Sequence, residues 1–154
     1  MTQAYEKAMG QAMTYLGFKA RTARQMEQYL QKKQHDEHTI ACVMEKLTEY
    51  GLVDDEQYAQ RYVETHKGAD GKFLLRQKLA RQGLDRDCID EALGGVTFDQ
   101  QVEAARALLE KKLRSDSRED ALRRAMQVAL RRGFPYDAVR AAASAYKEDF
   151  AWDE

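Results

Sequence analysis

Four times in 154 residues an apolar stripe at helical spacing runs into a glycine followed by another apolar residue. The four are Leu16-Gly17-Phe18, Tyr50-Gly51-Leu52, Gln82-Gly83-Leu84 and Arg132-Gly133-Phe134. Glycine takes up the left-handed conformation that ends a helix, and the apolar residue after it folds back on the last turn. Tyr5, Ala8, Met9, Ala12 and Leu16 form the stripe before the first stop, and Ile40, Val43, Met44 and Leu47 the stripe before the second. A chain cut this way is a succession of short amphipathic helices. The composition agrees: one proline and nine glycines are too few for the tight turns of an all-β fold, and 33% charged residues suit helices that each need a polar side.

Helix starts are marked as well. Thr22 with Gln25 makes a capping box, and Asp54, three residues before Gln57, makes another. Asp36 and Asp85 stand where further helices begin, and Pro135 suits the first turn of a last helix. The pattern predicts an all-α chain of nine short helices near 4–16, 22–33, 37–50, 55–66, 72–82, 86–94, 98–113, 117–132 and 135–147. The helical pairs in YLQKKQHDEHTIACVMEKL, KLARQGLDRDCIDEAL and ALRRGFPYDAVRAAAS correspond, with Ile40/Val43/Met44, Ile89/Ala92/Leu93 and Val139/Ala142/Ala143 in equivalent places. Three tandem repeats, about 4–50, 54–94 and 98–147, are therefore expected in a single domain, and repeats of this kind build elongated, curved molecules with extended binding surfaces.

Asp54 and Asp55 are the residues that most resemble a catalytic or metal-binding pair. Their place after a helix stop and before the stripe Tyr58, Ala59, Tyr62 makes them caps, since a carboxylate at a helix N-terminus meets free amides and the positive end of the dipole. A metal site built on them with His66 lacks further ligands at a workable spacing, and His35 with His38 has no third partner. GxGxxG, GxSxG, HExxH and phosphate-loop patterns are absent. The expectation is a non-enzyme with no catalytic residue, no metal and no cofactor.

Net charge is −1, yet charge is segregated. From Ala104 to Arg140 ten basic residues face five acidic ones, a local charge of +5, and the terminal KEDFAWDE swings back to acid. Cys42 and Cys88 sit alone at helix-periodic positions, which predicts small core side chains in a reducing compartment. The N-terminus has no secretory pattern and no apolar run reaches the length of a membrane span, so a soluble, cytoplasmic chain with no membrane partner is expected.

The stretch GLVDDEQYAQRYV, followed by GKFLLRQKLARQGL, resembles the central signature of the RecX family, regulators of the RecA recombinase. AMTYLGFKARTARQMEQYL resembles the family's opening and ALRRGFPYDAVRAA its closing repeat, so the resemblance covers nearly the whole chain. It departs from the pattern at Thr22 and at Gln25-Met26, where Ser and Glu-Leu are usual, and in the turn THKGADGK. The resemblance implies three three-helix units and no catalytic residues. It also implies binding along the groove of a RecA–DNA filament, with effects on filament growth, ATP hydrolysis and strand exchange in recombination, DNA repair and the SOS response.

Two basic clusters are the surface expected to meet that filament, or single- or double-stranded DNA. They are Lys72, Arg76, Lys78 and Arg81 on one helix, and Arg123, Arg124, Arg131 and Arg132 opposite the apolar face Leu122, Ala125, Met126, Ala129. Thr22, Asp54, Gly51, Gly83 and Gly133 are the structural caps. The protein is expected to act as a monomer. The competing reading is a helix-turn-helix transcriptional regulator across residues 20–47, against which residues 34–46 offer no arginine to reach base edges.

Overall fold

The computed structural model describes residues 2–150, and the side chains of residues 2–146; the acidic stretch noted at the end of the sequence lies outside the described side chains. Among the described residues there are nine helices and no strand: α1 (Gln3–Phe18), α2 (Ala23–Lys32), α3 (Glu37–Glu49), α4 (Asp55–His66), α5 (Lys72–Arg81), α6 (Arg86–Gly94), α7 (Phe98–Arg114), α8 (Ala121–Arg131) and α9 (Tyr136–Phe150). The chain forms two compact units. One comprises Met1–Arg61 with Leu79–Ile89, the other Tyr62–Lys78 with Asp90–Glu154, so α4, α5 and α6 each have one end in each unit.

In the first unit α1, α2 and α3 pack on one another. Their core is Ala8, Ala12, Met26, Leu30, Ile40, Val43, Leu47 and Val53, with Tyr5, Met9, Leu16 and Met44 packed at its edge. Thr22, fully buried, closes the capping box at both ends: its hydroxyl accepts from Gln25 N and its own amide donates to Gln25 Oε1. The same hydroxyl donates to Gln82 O at 2.6 Å, tying the start of α2 to the end of α5. In the second unit α7, α8 and α9 pack together around Ala104, Ala105, Leu109, Ala125, Ala129, Phe134, Val139, Ala142 and Ala143.

Gly51, Gly83 and Gly133 have φ of +70°, +93° and +89°. Each donates to the carbonyl three residues back while the next amide reaches five back, as Leu52 N does to Leu47 O at 2.8 Å, so all three stop their helices as the sequence indicates. Gly17 does not. α1 runs through it to Phe18 and leaves by an extended Lys19; Phe18, 79% exposed, has no turn to fold back on. A fourth left-handed stop occurs with no glycine, at Gln34, whose φ is +67°.

The start of α8 also differs from expectation. Asp116 takes the amide of Arg118 at 3.1 Å, which turns the chain, and Asp120 then adopts φ +61°, so the helix begins at Ala121 and not at 117. Pro135 precedes the first residue of α9 and accepts from Val139 N at 3.0 Å. Thr97 with Gln100 forms a second full capping box, on α7, that the sequence reading passed over. Cys42 and Cys88 are half-buried, not core: one sulfur lies 3.7 Å from His38 Nε2 and the other donates to Asp55 O at 3.4 Å. No helix among the described residues is long and apolar enough to cross a membrane.

Candidate functional site

Lys72, Arg76, Lys78, Arg123, Arg124, Arg131 and Arg132 all belong to the second unit, while Arg81, at the end of α5, belongs to the first. What brings the first set together is the way α5 begins. Its opening amides have no helical partner of their own. Gly71 N donates to Arg132 O at 2.9 Å, Phe73 N to Gly133 O at 3.1 Å, and Lys72 N to Gln101 Oε1 at 3.0 Å. The positive end of α5 therefore rests on the carbonyl end of α8. The approach requires glycine on both sides: a Cβ on Gly71 would overlap the backbone of Gly133 and Phe134, and one on Gly133 would overlap Leu74.

Asp70, next to this junction, is 3% exposed. A buried carboxylate must be paired or hydrogen-bonded. Lys78 Nζ lies 2.8 Å from Oδ2 and Arg132 Nη1 3.6 Å from Oδ1. Asp116 is held in the same manner at the other end of α8. It accepts from Arg124 Nε at 2.9 Å and Nη2 at 3.2 Å, and from Arg118 Nε at 3.0 Å. The guanidinium of Arg124, then that of Arg118, hold its carboxyl well below the usual carboxylate range.

The predicted basic surface thus divides into three kinds of residue. Lys78, Arg124 and Arg132 neutralise carboxylates within the fold. Arg76 pairs with Asp90 at 2.6 Å and Arg123 with Asp120 at 3.8 Å, both across exposed groups where such pairs contribute little. Lys72, Arg81 and Arg131 have no ion pair among the described residues and point their charge outward. Beside them the structure adds side chains that the sequence reading left out. Phe73 is 62% exposed, Tyr136 61%, and Leu130 is exposed too. Exposed aromatics next to arginine are the composition of a protein interface centre.

The aspartates of the central signature have partners in the fold. Asp54 caps α4 through Gln57 N at 3.1 Å. Asp55 does something the sequence did not announce: its carboxylate accepts Ala23 N at 2.8 Å, at the opposite end of 32 residues, and so caps α2. His66 donates Nδ1–H to Tyr62 O at 2.8 Å and stacks on the Tyr62 ring. No group of three or more His, Cys, Asp or Glu side chains that could hold a metal occurs among the described residues. The outward side chains of α3, among them Glu37, His38, Glu45 and Glu49, are mainly acidic, which is the wrong sign for a recognition helix.

A second basic face, outside the predicted set, lies around α2. From Lys19 to Lys33 there are five cations and one acid, Glu27, and none of Lys19, Arg21, Arg24, Lys32 or Lys33 has an ion pair among the described residues.

The succession of helical groups matches a known protein family. Residues 8–47 match the first three-helix domain of RecX, 54–93 the second and 99–142 the third. The chain belongs to the RecX family. It is 33% identical over 142 residues to Regulatory protein RecX of Bacillus velezensis, covering 89% of this chain and 54% of that protein. Over 141 residues it is 35% identical to Regulatory protein RecX of Geobacillus kaustophilus, covering 88% and 52%. The chain spans about half the length of the curated RecX relatives it matches. The crystal structure of RecX from Lactobacillus salivarius superposes with a TM-score of 0.84 at 27% identity, covering 94% of this chain and 97% of that one. A second RecX regulatory-protein structure gives 0.81 at 25% identity, covering 92% and 73%.

Proposed function

We propose that this chain regulates the RecA recombinase by binding in the groove of the RecA–DNA filament, where it restrains filament growth, ATP hydrolysis and strand exchange. The observation that carries the reading is the match, in order, of all three RecX three-helix domains. Regulation without chemistry of its own fits a molecule whose conspicuous carboxylates, Asp54, Asp55, Asp70 and Asp116, are helix caps and ion-pair partners. It acts as a monomer in the cytoplasm, with no cofactor. The side chains proposed to reach RecA are the outward ones of the second unit, Lys72, Phe73, Arg123, Arg131 and Tyr136, and, on the first unit by itself, Arg81. Lys78, Arg124 and Arg132 support that surface by holding Asp70 and Asp116.

The test is ATP hydrolysis by the RecA of the same source on single-stranded DNA, titrated with this protein at substoichiometric amounts. Progressive loss of hydrolysis is expected, with Arg131→Glu and Phe73→Ser requiring more protein for the same effect. Unchanged hydrolysis, with filaments forming normally in the control, would overturn the inhibitory reading.

A further inference from the structure

α3 turns a nucleophile and a base to the same side. His38 and Cys42 stand four residues apart, about one helical turn, and the thiol sulfur lies 3.7 Å from His38 Nε2. Both line an open hollow of about 310 Å³ in the first unit, together with Glu45 and Lys46 of α3 and Thr2 and Tyr5 of α1. Thr2 is the N-cap of α1, so the positive end of that helix borders the hollow. The charge of Lys46 is shared with Glu49 at 3.2 Å, and Glu45 is the acid on the lining. The Thr39 side chain first, and among the lesser influences the charge of His38, hold the Asp36 carboxyl below its usual range, which places an anion within electrostatic reach of the imidazole. A half-exposed thiol beside a base and near a helix N-terminus is the setting in which cysteine reacts. Cys88 is half-buried too, yet its thiol donates to the carbonyl of Asp55 at 3.4 Å, and a peptide oxygen does not take up the proton.

We propose that Cys42 is a site of reversible S-thiolation, the hollow admitting a low-molecular-weight disulfide and His38 serving as the base. His38 Nε2 takes the thiol proton as the sulfur attacks. A bond forms between Cys42 Sγ and one sulfur of the disulfide, and the disulfide's own S–S bond breaks. The departing thiolate takes the proton from the imidazolium and leaves as a thiol. The Cys42 sulfur is oxidised and the leaving sulfur reduced, so no further oxidant is needed. The fold tolerates the adduct because α3 keeps its packed side elsewhere. Val43 and Leu47 are fully buried, while Cys42 is half-buried with room beside it, so the added group occupies the hollow and not the core. A second thiol reverses the reaction by the same exchange, and in a reducing compartment such a bond is a transient mark, not a structural one. The site uses none of the side chains proposed to reach RecA and stands apart from that reading.

The experiment is incubation of the full chain with glutathione disulfide, each cysteine being followed in time by intact-mass and peptide mass spectrometry. The first adduct is expected on Cys42, forming roughly tenfold or more faster than on Cys88, and dithiothreitol should remove it and restore the original mass. In denaturant, where the hollow and the placement of His38 are lost, the two cysteines should react at similar rates. His38→Ala separates the base from mere access. Removing the ring uncovers the sulfur, so the variant should react faster if exposure alone governs, and roughly tenfold or more slowly if the imidazole takes the proton. Its melting temperature and the rate at Cys88 should not move, because His38 is exposed and lies outside the core. Slower thiolation of Cys42 in that variant, with Cys88 unchanged, would support the assignment. Equal rates at the two cysteines of the folded chain, no adduct on either, or a His38→Ala chain that reacts as fast as the parent or faster would each overturn it.

Discussion

The first and third groups of helices solve one packing problem with different materials. α1–α3 fill their core with many medium side chains, Met26, Leu30, Ile40, Val43, Leu47 and Val53, and its fully buried alanines, Ala8 and Ala12, come from α1. α7–α9 bring alanines from all three helices, Ala104, Ala105, Ala125, Ala129, Ala142 and Ala143. The fully buried larger side chains of this core are Leu109, Val139 and Phe134, which is 1% exposed and enters from the α8–α9 turn, while Leu108, Leu122, Met126 and Tyr146 pack at the edge. Alanine faces let helix backbones approach closely, and close packing is then reached with little side-chain volume. In the first group the loss of any one side chain is shared among neighbours that can shift. In the third, Phe134 is the largest fully buried side chain, and its nearest buried companions are mostly alanines.

The largest effect should follow from removing that residue. Phe134→Ala is expected to destabilise by about 3–5 kcal/mol, because the alanines that dominate the buried cluster have little side-chain volume to move into the cavity. Leu47→Ala in the first group, whose neighbours are flexible and aliphatic, should lie toward the low end of the ~2–5 kcal/mol range for leucine. Chemical denaturation gives the totals. Hydrogen exchange by peptide locates them, and the loss of protection should be confined to the unit that carries the substitution. Equal losses for the two variants would remove the distinction between the cores.

Ala129→Leu tests the comparison from the other side. Three added carbons in a fully buried site between closely packed helices should cost about 1–3 kcal/mol through displaced backbone. Met26→Leu, a volume-conserving change at an equally buried site in the first group, should cost less than about 1.5 kcal/mol. An Ala129→Leu protein as stable as the parent would mean that the alanine core has space to spare.

Local signals in the sequence carried the fold well. Periodicity and three left-handed glycines placed nearly every helix within a few residues, because those features act within one turn. Gly17 misled because the same three-residue pattern needs a preceding turn for its apolar residue to cover, and Phe18 has none. The basic surface was less legible, and for a definite reason. Whether an arginine faces solvent or a carboxylate is decided by chain neighbours far apart in sequence: Arg132 meets Asp70 across 62 positions. The α2 cations were passed over because the most basic segment by count lies elsewhere, and count does not distinguish paired charges from unpaired ones. Asp55 was read as supporting the start of its own helix, but its carboxylate takes up an amide of α2, 32 residues earlier.

The third expected effect concerns acid. Asp116 has its carboxyl held below the ordinary range in the folded state by Arg124 and Arg118, against about 3.9 in an unfolded chain. A depressed folded value means that the group stabilises the fold fully above the unfolded value and loses this contribution as pH falls toward the folded one. Asp116→Asn should therefore melt at lower temperature than the parent at neutral pH, with a difference that is flat above about pH 5 and shrinks below about pH 4. Local exchange at the start of α8 should rise in the variant, because a neutral amide oxygen holds the amide of Arg118 and the guanidinium of Arg124 less strongly than a carboxylate does. A difference independent of pH would show that the carboxylate acts by shape alone.

The smallest effect should be a gain. The α2–α3 turn has the same hydrogen bonds as the three glycine stops: Gln34 N reaches Gln31 O at 2.9 Å and His35 N reaches Leu30 O at 3.2 Å. Only the residue differs, and Gln34 holds φ +67° with its side chain exposed. The left-handed conformation costs a side-chain-bearing residue about 1–2 kcal/mol, and glycine avoids that cost while giving back part of it as lost chain entropy. Gln34→Gly should therefore stabilise the first unit by roughly 0.5–1 kcal/mol. Gly51→Ala is the reverse experiment, since a Cβ there would meet nothing within 4 Å and only the backbone strain at φ +70° is added. It should cost about as much as Gln34→Gly gains, or somewhat more. If Gln34→Gly lowers stability while Gly51→Ala behaves as expected, the glutamine side chain holds something in the turn that its exposure conceals. If both follow the expected signs, the two turns are one motif, written once with glycine and once without.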